Sequence, residues 1–257
     1  MAPMIEHFVD PLRFVRYIEP FLGGGALFFR LGCAPAILAD LNSDLIDTYR
    51  QVRDDPISLE LSLRALEVNP GTFERMREAR PEAPLEIATR FLYLNRTAFS
   101  GLYRLNRAGR FNVPYAGDRA MSTLWDRDLL TLASRALQGA KLVVSDFEPT
   151  LAEAGRGDIV YCDPTYTVSH DNNGFLRYNE SIFSWADQVR LAKAARAASM
   201  RGAAILVSNA AHPDLNGLYP EASCLTVRRY CGLAADEKHR GSRTEYVFFI
   251  APAPSDR

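Results

Sequence analysis

Short apolar runs, each closed by a polar or acidic residue, punctuate the chain: RYIEP (16–20), AILAD (36–40), KLVVSD (141–146), DIVYCD (158–163) and AILVSN (204–209). Runs of this length, followed by a turn or a helical pattern, read as buried strands. Between them apolar residues recur at helical spacing, as with Leu41, Leu45, Tyr49 and Val52, or Leu129, Leu132, Ala133, Ala136 and Leu137. Ser184 with Asp187 three places on makes an N-cap pair for a helix running through WADQVRLAKAARAAS. Strands alternating with helices in this way predict an α/β fold with a mainly parallel sheet. EYVFFI (245–250) has no helix before it and is expected to form a hairpin with SCLTVRR (223–229). Residues 53–140 differ, with helical spacing at Ile87, Phe91 and Leu94, and Pro56, Pro70, Pro81 and Pro84 reading as breakers. This stretch interrupts the strand series as a helical insert between a domain built from residues 1–52 and 141–257.

In an open parallel sheet the ligand lies beyond the carboxyl ends of the strands. Glu19, Asp40, Asp146, Asp163 and Asn209 all occupy that position and are expected to converge. Taken singly, each is an ordinary strand-end cap. EPFLGGGALFFRL (19–31) puts three glycines between a strand and a short helix, a turn that lets backbone approach a ligand closely. It lacks the G-x-G-x-x-G spacing of a dinucleotide site, since Phe28 stands three places after Gly25. Asp40, at the end of the second strand, suits the two hydroxyls of a ribose, so an adenosine-containing cofactor fits both features.

IVYCDPTY (159–166) carries the sharpest chemistry. The exocyclic amine of a nucleobase is a poor nucleophile because its lone pair is delocalised into the ring. A carboxylate and a backbone carbonyl that accept its two N–H hydrogens favour a pyramidal nitrogen, and a neighbouring ring holds the base by stacking. Asp163, the carbonyl of Pro164 and Tyr166 supply those three functions within four residues. A bare D-P-x-Y reads as readily as a strand followed by a proline-fixed turn; its place among the strand ends is what separates the two.

From about Tyr17 to Ile250 the chain resembles the Dam-like, D12-class DNA adenine-N6 methyltransferases, with the motifs in that family's order. YIEPFLGGGALFF is similar to the family's methionine-binding glycine motif, which implies cofactor contacts at Glu19, Pro20, Phe21, Gly23 and Gly25. AILADLNSDLIDTYRQVRDDP resembles the following strand and helix, with Asp40 in the ribose-binding place, and SDFE (145–148) implies that Asp146 and Phe147 hold the cofactor's adenine. IVYCDPTY is similar to the catalytic D-P-P-Y, here with Thr165 at the third place, and LVSN (206–209) to the next strand end. FLYLNRTAFSGLYRLNRAGRFNVPYAG (91–117) resembles the signature opening the family's DNA-recognition region, with candidate contacts at Asn95, Arg96, Arg104, Asn106, Arg107, Arg110 and Asn112.

The resemblance implies a Rossmann-like S-adenosylmethionine-dependent methyltransferase sheet with an inserted helical target-recognition domain. It implies S-adenosyl-L-methionine as cofactor, no metal, and double-stranded DNA as partner. A cognate restriction endonuclease is the further partner of an enzyme serving restriction and modification. TVSHDNNGFLRYNESIF (167–183) is expected to order over an extruded base, with His170 a surface residue. Family members carry a W-A-G-G-K motif upstream of the glycine motif, where this chain reads MAPMIEHFVDPLRFVR. That departure leaves three options: a truncated start, a cofactor site built differently, or a non-catalytic relative that still binds DNA. Cytosine-N4 or RNA amine methylation is a further alternative.

Charge adds an arrangement that the total conceals. Thirty basic and 31 acidic residues sum to −1, no sign of a nucleic-acid partner. Yet residues 90–117 hold five arginines and no acid, interleaved with aromatics, as phosphate contacts and insertion near a duplex would require. Residues 228–243 carry +3 and residues 40–60 carry −4, so the charge is polarised along the chain. The four cysteines form no C-x-x-C pair and no zinc spacing, and no segment has the uninterrupted apolar length of a signal peptide or membrane span. The expectation is a cytoplasmic protein without disulfides, metal or membrane contact.

Overall fold

The computed structural model describes residues 14–106, 108–117, 127–165, 183–231 and 241–254. The chain divides into two compact units, one of residues 1–41 with 139–257 and one of residues 42–138.

The first unit is built on a sheet whose seven strands, among the described residues, run in the order β3-β2-β1-β4-β5-β7-β6. They are β1 (Arg16–Glu19), β2 (Ala36–Asp40), β3 (Ala140–Val144), β4 (Asp158–Cys162), β5 (Ala204–Ala210), β6 (Ser223–Cys231) and β7 (Gly241–Ile250). The first five pair in parallel, with Ile18 level with Ile37 on one side and with Val160 on the other. β7 runs antiparallel to β5 and pairs along its length with β6, as the 223–229 and 245–250 segments suggested. The sheet is therefore Rossmann-like with an antiparallel edge. β2 and β4 are nearly continuous buried runs, as strands covered on both faces require, whereas the edge strand β3 exposes Lys141 and Val144. Ile18, Ile37, Val160, Ile205 and Phe248 share one core with Leu151 of α7 (Phe147–Ala152) and Leu191 of α8 (Trp185–Met200). The expected capping box is present: the Ser184 hydroxyl accepts from the Asp187 amide while the Asp187 carboxylate accepts from the Ser184 amide.

Strand order reverses between β1 and β4, since the chain leaves β1 for β2 and β3 on one side and later builds β4 and β5 on the other. Diverging connections open a crevice at the carboxyl ends of those two strands. α1 (Ala26–Leu31) starts there, after the glycine turn.

The second unit is helical: α2 (Ser43–Asp54), α3 (Pro56–Arg64), α4 (Pro70–Glu78), α5 (Pro84–Thr97) and α6 (Arg127–Leu137). α2 packs with this unit, the division falling at Leu41 and Asn42 rather than after residue 52. Leu41 is exposed and lies ahead of the true cap, Asn42, whose side chain accepts from the Leu45 amide. The prolines correct the sequence reading more generally. Pro56, Pro70 and Pro84 each begin a helix, at the position where a missing N–H costs nothing, and Asp55 and Asn69 cap two of those starts.

Candidate functional site

Every polar strand end singled out in the first unit can be followed from its backbone. Glu19 ends β1 and is 3% exposed; its Oε2 accepts from the Tyr17 hydroxyl at 2.9 Å. Burial pushes its carboxyl up to about 8, reinforced by the neighbouring charge of Asp163 and opposed by the Tyr17 hydroxyl and the Phe28 amide. Pro20 is buried and Phe21 half-buried. Gly23 (φ 46°) and Gly25 (φ 60°) occupy left-handed conformations, and a Cβ at Gly25 would meet the Phe29 ring at 3.1 Å. At Gly23 a side chain is disfavoured by conformation alone, at Gly25 by conformation and by space. The Gly23 amide donates to Asp40 Oδ2 at 3.0 Å, tying the glycine turn to the end of β2.

An aromatic group flanks the turn. Phe21 stacks on Phe147 with ring centroids 5.4 Å apart, and Phe183 meets both edge-on or tilted, at 5.6 and 5.7 Å. Phe147 belongs to the core and is 3% exposed. Asp146 caps α7 by accepting from the Glu148 amide at 2.9 Å. Arg190, which the sequence reading passed over, gathers this corner together. Its guanidinium donates to Asp146 at 3.1 Å, Glu148 at 2.6 Å and Asp187 at 2.7 Å, and lies 4.8 Å from the Phe147 ring centre. Its only hint in the sequence was its spacing three residues after the capping Asp187.

Asp163 follows β4 and is exposed, whereas Pro164 is buried and Thr165 exposed. The Ser208 hydroxyl donates to Asp163 Oδ1 at 2.5 Å. Asn209, expected in the same crevice, is fully buried: its amide donates to Gln188 Oε1 at 3.0 Å and its Oδ1 accepts from the Ala210 amide. That side chain secures α8 to β5, because β5 continues to Ala210 and Asn209 is not its end. Tyr166, His170 and the rest of 166–182 lie outside the described residues, as do residues 1–13.

In the second unit, residues 98–116 fold back on α5 as a short antiparallel ladder, bridged at Ala98 with Tyr115 and at Leu105 with Phe111. Asn106 makes the turn: its Oδ1 accepts from the Ala108 and Arg110 amides at 2.9 and 3.0 Å. Arg104 donates from Nε to Asn112 Oδ1 at 2.8 Å, and Asn95 donates to the Gly101 carbonyl at 2.7 Å. Arg90 is buried, with Nε donating to the Met76 carbonyl. The aromatics form a packed group, Phe91 against Tyr103 at 4.1 Å and Tyr103 against Phe111 at 5.2 Å. Most of the residues that suggested a duplex-binding surface are therefore engaged with one another, and Phe91 and Phe111 are core residues and not insertion wedges. Arg110 is exposed on the turn, Arg96 is half-buried, and Arg107 lies outside the described residues.

Among the described residues no helix is long and apolar enough to cross a membrane, and no group of three His, Cys, Asp or Glu is placed to hold a metal. Compared with known proteins, residues 2–230 match the family model described as D12 class N6 adenine-specific DNA methyltransferase. The chain is 33% identical over 264 residues to the Type II methyltransferase M1.LlaDCHI of Lactococcus lactis subsp. cremoris, covering 96% of this chain and 90% of that protein. Against the DNA adenine methylase of Serratia marcescens it is 36% identical over 199 residues, 75% of this chain and 73% of that one. Against the Type II methyltransferase M.MjaIII of Methanocaldococcus jannaschii it is 32% identical over 222 residues, 79% and 76% of the two.

Proposed function

We propose a site and a mechanism from one premise: the chain belongs to the D12 class of N6 adenine-specific DNA methyltransferases, and its activity is methylation of adenine in DNA. The reaction takes place at the carboxyl ends of β1 and β4. The observation that carries this is the register at the point of strand reversal: β1 and β4 pair in parallel with Ile18 level with Val160, so Glu19 and Asp163 leave neighbouring strand ends.

The cofactor is S-adenosyl-L-methionine, and the donor set fits it. Glu19 is a buried carboxyl whose value burial pushes up to about 8. Glu19 would face the ammonium end of the methionine moiety, and the Gly23–Gly25 turn would let backbone approach it closely. Pro20 orients Phe21 beside it. Asp40 would accept from the ribose hydroxyls, and Asp146 with the Phe21 and Phe147 rings would border the adenine. When bound, the cofactor supplies an electrophilic methyl group on a sulfonium. Asp163 and the Pro164 carbonyl accept the two N–H hydrogens of the target amine, and Tyr166 stacks on the base. The target adenine is reached by flipping it out of the duplex, since its amine is paired and shielded inside the stack. Thr165 removes some rigidity from the turn but none of these contacts.

The helical unit serves target recognition through the 95–112 ladder, with Asn95, Arg104, Asn106 and Asn112 shaping it and Arg96, Arg107 and Arg110 meeting DNA. A cognate restriction endonuclease is the expected partner where the enzyme works in restriction and modification.

Incubation of purified protein with methyl-labelled S-adenosylmethionine and duplex DNA, followed by nucleoside analysis, tests the reading. Label is expected in N6-methyladenine. Label in N4-methylcytosine or in RNA alone, or DNA binding without transfer, would overturn it.

A further inference from the structure

We propose that Ser208 is a positioning residue for methyl transfer: its hydroxyl fixes the Asp163 carboxylate, and the Tyr161 hydroxyl fixes Ser208 in turn. The inference rests on the reading of Asp163 as the acceptor of the adenine amine. β4 and β5 run parallel with Cys162 level with Val207, so residues 163 and 208 come side by side where the ladder ends. Ser208 Oγ lies 2.5 Å from Asp163 Oδ1, 3.2 Å from the Tyr161 hydroxyl and 3.3 Å from the Cys162 carbonyl oxygen.

Direction follows from counting protons. A serine hydroxyl has one to donate, and an ionised aspartate can only accept. The shortest of the three contacts has the length of a charge-assisted bond, so the Ser208 hydroxyl donates its one proton to Asp163 Oδ1. Tyr161 is then the donor to Ser208 Oγ, and the chain runs one way, from Tyr161 through Ser208 to Asp163.

Burial explains why such a chain is useful. Tyr161 is 4% exposed and Ser208 fully buried, whereas Asp163 is exposed. An exposed aspartate at a strand end turns about two side-chain torsions. Anchored from the protein interior, it keeps one orientation before the substrate arrives, which is the condition for placing a reacting group. A hydroxyl in the middle of the apolar run AILVSN is also costly unless bonded, and here its bonds lead to the site.

The test uses the full chain, with S-adenosylhomocysteine titrated calorimetrically to count folded sites, and single-turnover methylation of duplex DNA to give the transfer rate. Ser208→Ala is expected to slow transfer per folded site about 10–100-fold while leaving S-adenosylhomocysteine affinity unchanged. Tyr161→Phe should slow it roughly 3–10-fold, and the double variant should be no slower than Ser208→Ala alone. A wild-type rate in Ser208→Ala, with transfer lost in Asp163→Ala, overturns this inference and leaves the reading of Asp163 standing. A wild-type rate in Asp163→Ala overturns that reading instead. Additive losses in the double variant contradict the chain from Tyr161.

Discussion

The strand-end crevice of the first unit and the 95–112 ladder of the second were both picked out by polar residues, yet they use those residues differently. At the strand ends, Glu19, Asp40 and Asp163 stand where they do because β1, β2 and β4 end there. In the ladder, Asn106 is consumed by its own turn, Arg104 by Asn112, Asn95 by Gly101 and Arg90 by the Met76 carbonyl. A strand end fixes where a polar residue stands, whereas a run of arginine, asparagine and aromatic residues can be satisfied internally.

That contrast can be broken at several points. The largest effect is expected at Phe147, which is core as well as border: Phe147→Ala should cost about 3–5 kcal/mol in denaturant unfolding. A negligible loss would mean that the ring stands free of the core and that the crevice is less built than described.

Glu19 comes next. Its folded value, about 8, lies above its ordinary value of 4.5. The stability linked to it is therefore fully present below pH ~4.5 and is lost as pH rises through about 8, an effect on the order of a few kcal/mol. Cofactor-free protein should melt at a lower temperature at pH 9 than at pH 6, and Glu19→Gln should flatten that slope. An equal slope in the variant would remove the buried, protonated carboxylate from the account.

Within the ladder, Asn106→Ala should cost about 1 kcal/mol of the helical unit's stability through the lost turn bonds. Arg110→Ala should leave stability intact, yet lower the slope of log DNA affinity against log salt by roughly 1. If both variants act only on stability, or both only on salt dependence, the distinction between shaping and contacting residues fails. The smallest effect concerns Ser100, which holds φ at 55° beside Gly101. Ser100→Gly should stabilise by up to about 1 kcal/mol, measurable as a small rise in melting temperature.

Much of the first unit was legible because the parallel strands are short, largely apolar runs, and β1, β2 and β4 close on Glu19, Asp40 and Asp163 where a doubly wound sheet puts its ligand. Ser208 was not, although LVSN was in view: its partner lies 45 residues away, and only the β4–β5 register makes them neighbours. Arg190 was missed for a similar reason, since a helix-surface arginine shows its value only once Asp146 and Glu148 stand opposite. Pro56, Pro70 and Pro84 were read as stops and are starts, because proline is tolerated in the first turn of a helix and the residues before two of them are caps. For Asn95, Arg104 and Asn106 composition could not show that their side chains bond within the ladder, because the partners are set by its fold.

The central claim, that Asp163 holds the adenine amine for transfer, is tested most directly by single-turnover methylation of duplex DNA with Asp163→Ala, alongside S-adenosylhomocysteine binding on the same sample. Transfer is predicted to fall by about 10³-fold or more with S-adenosylhomocysteine affinity retained. Transfer near the wild-type rate would contradict it.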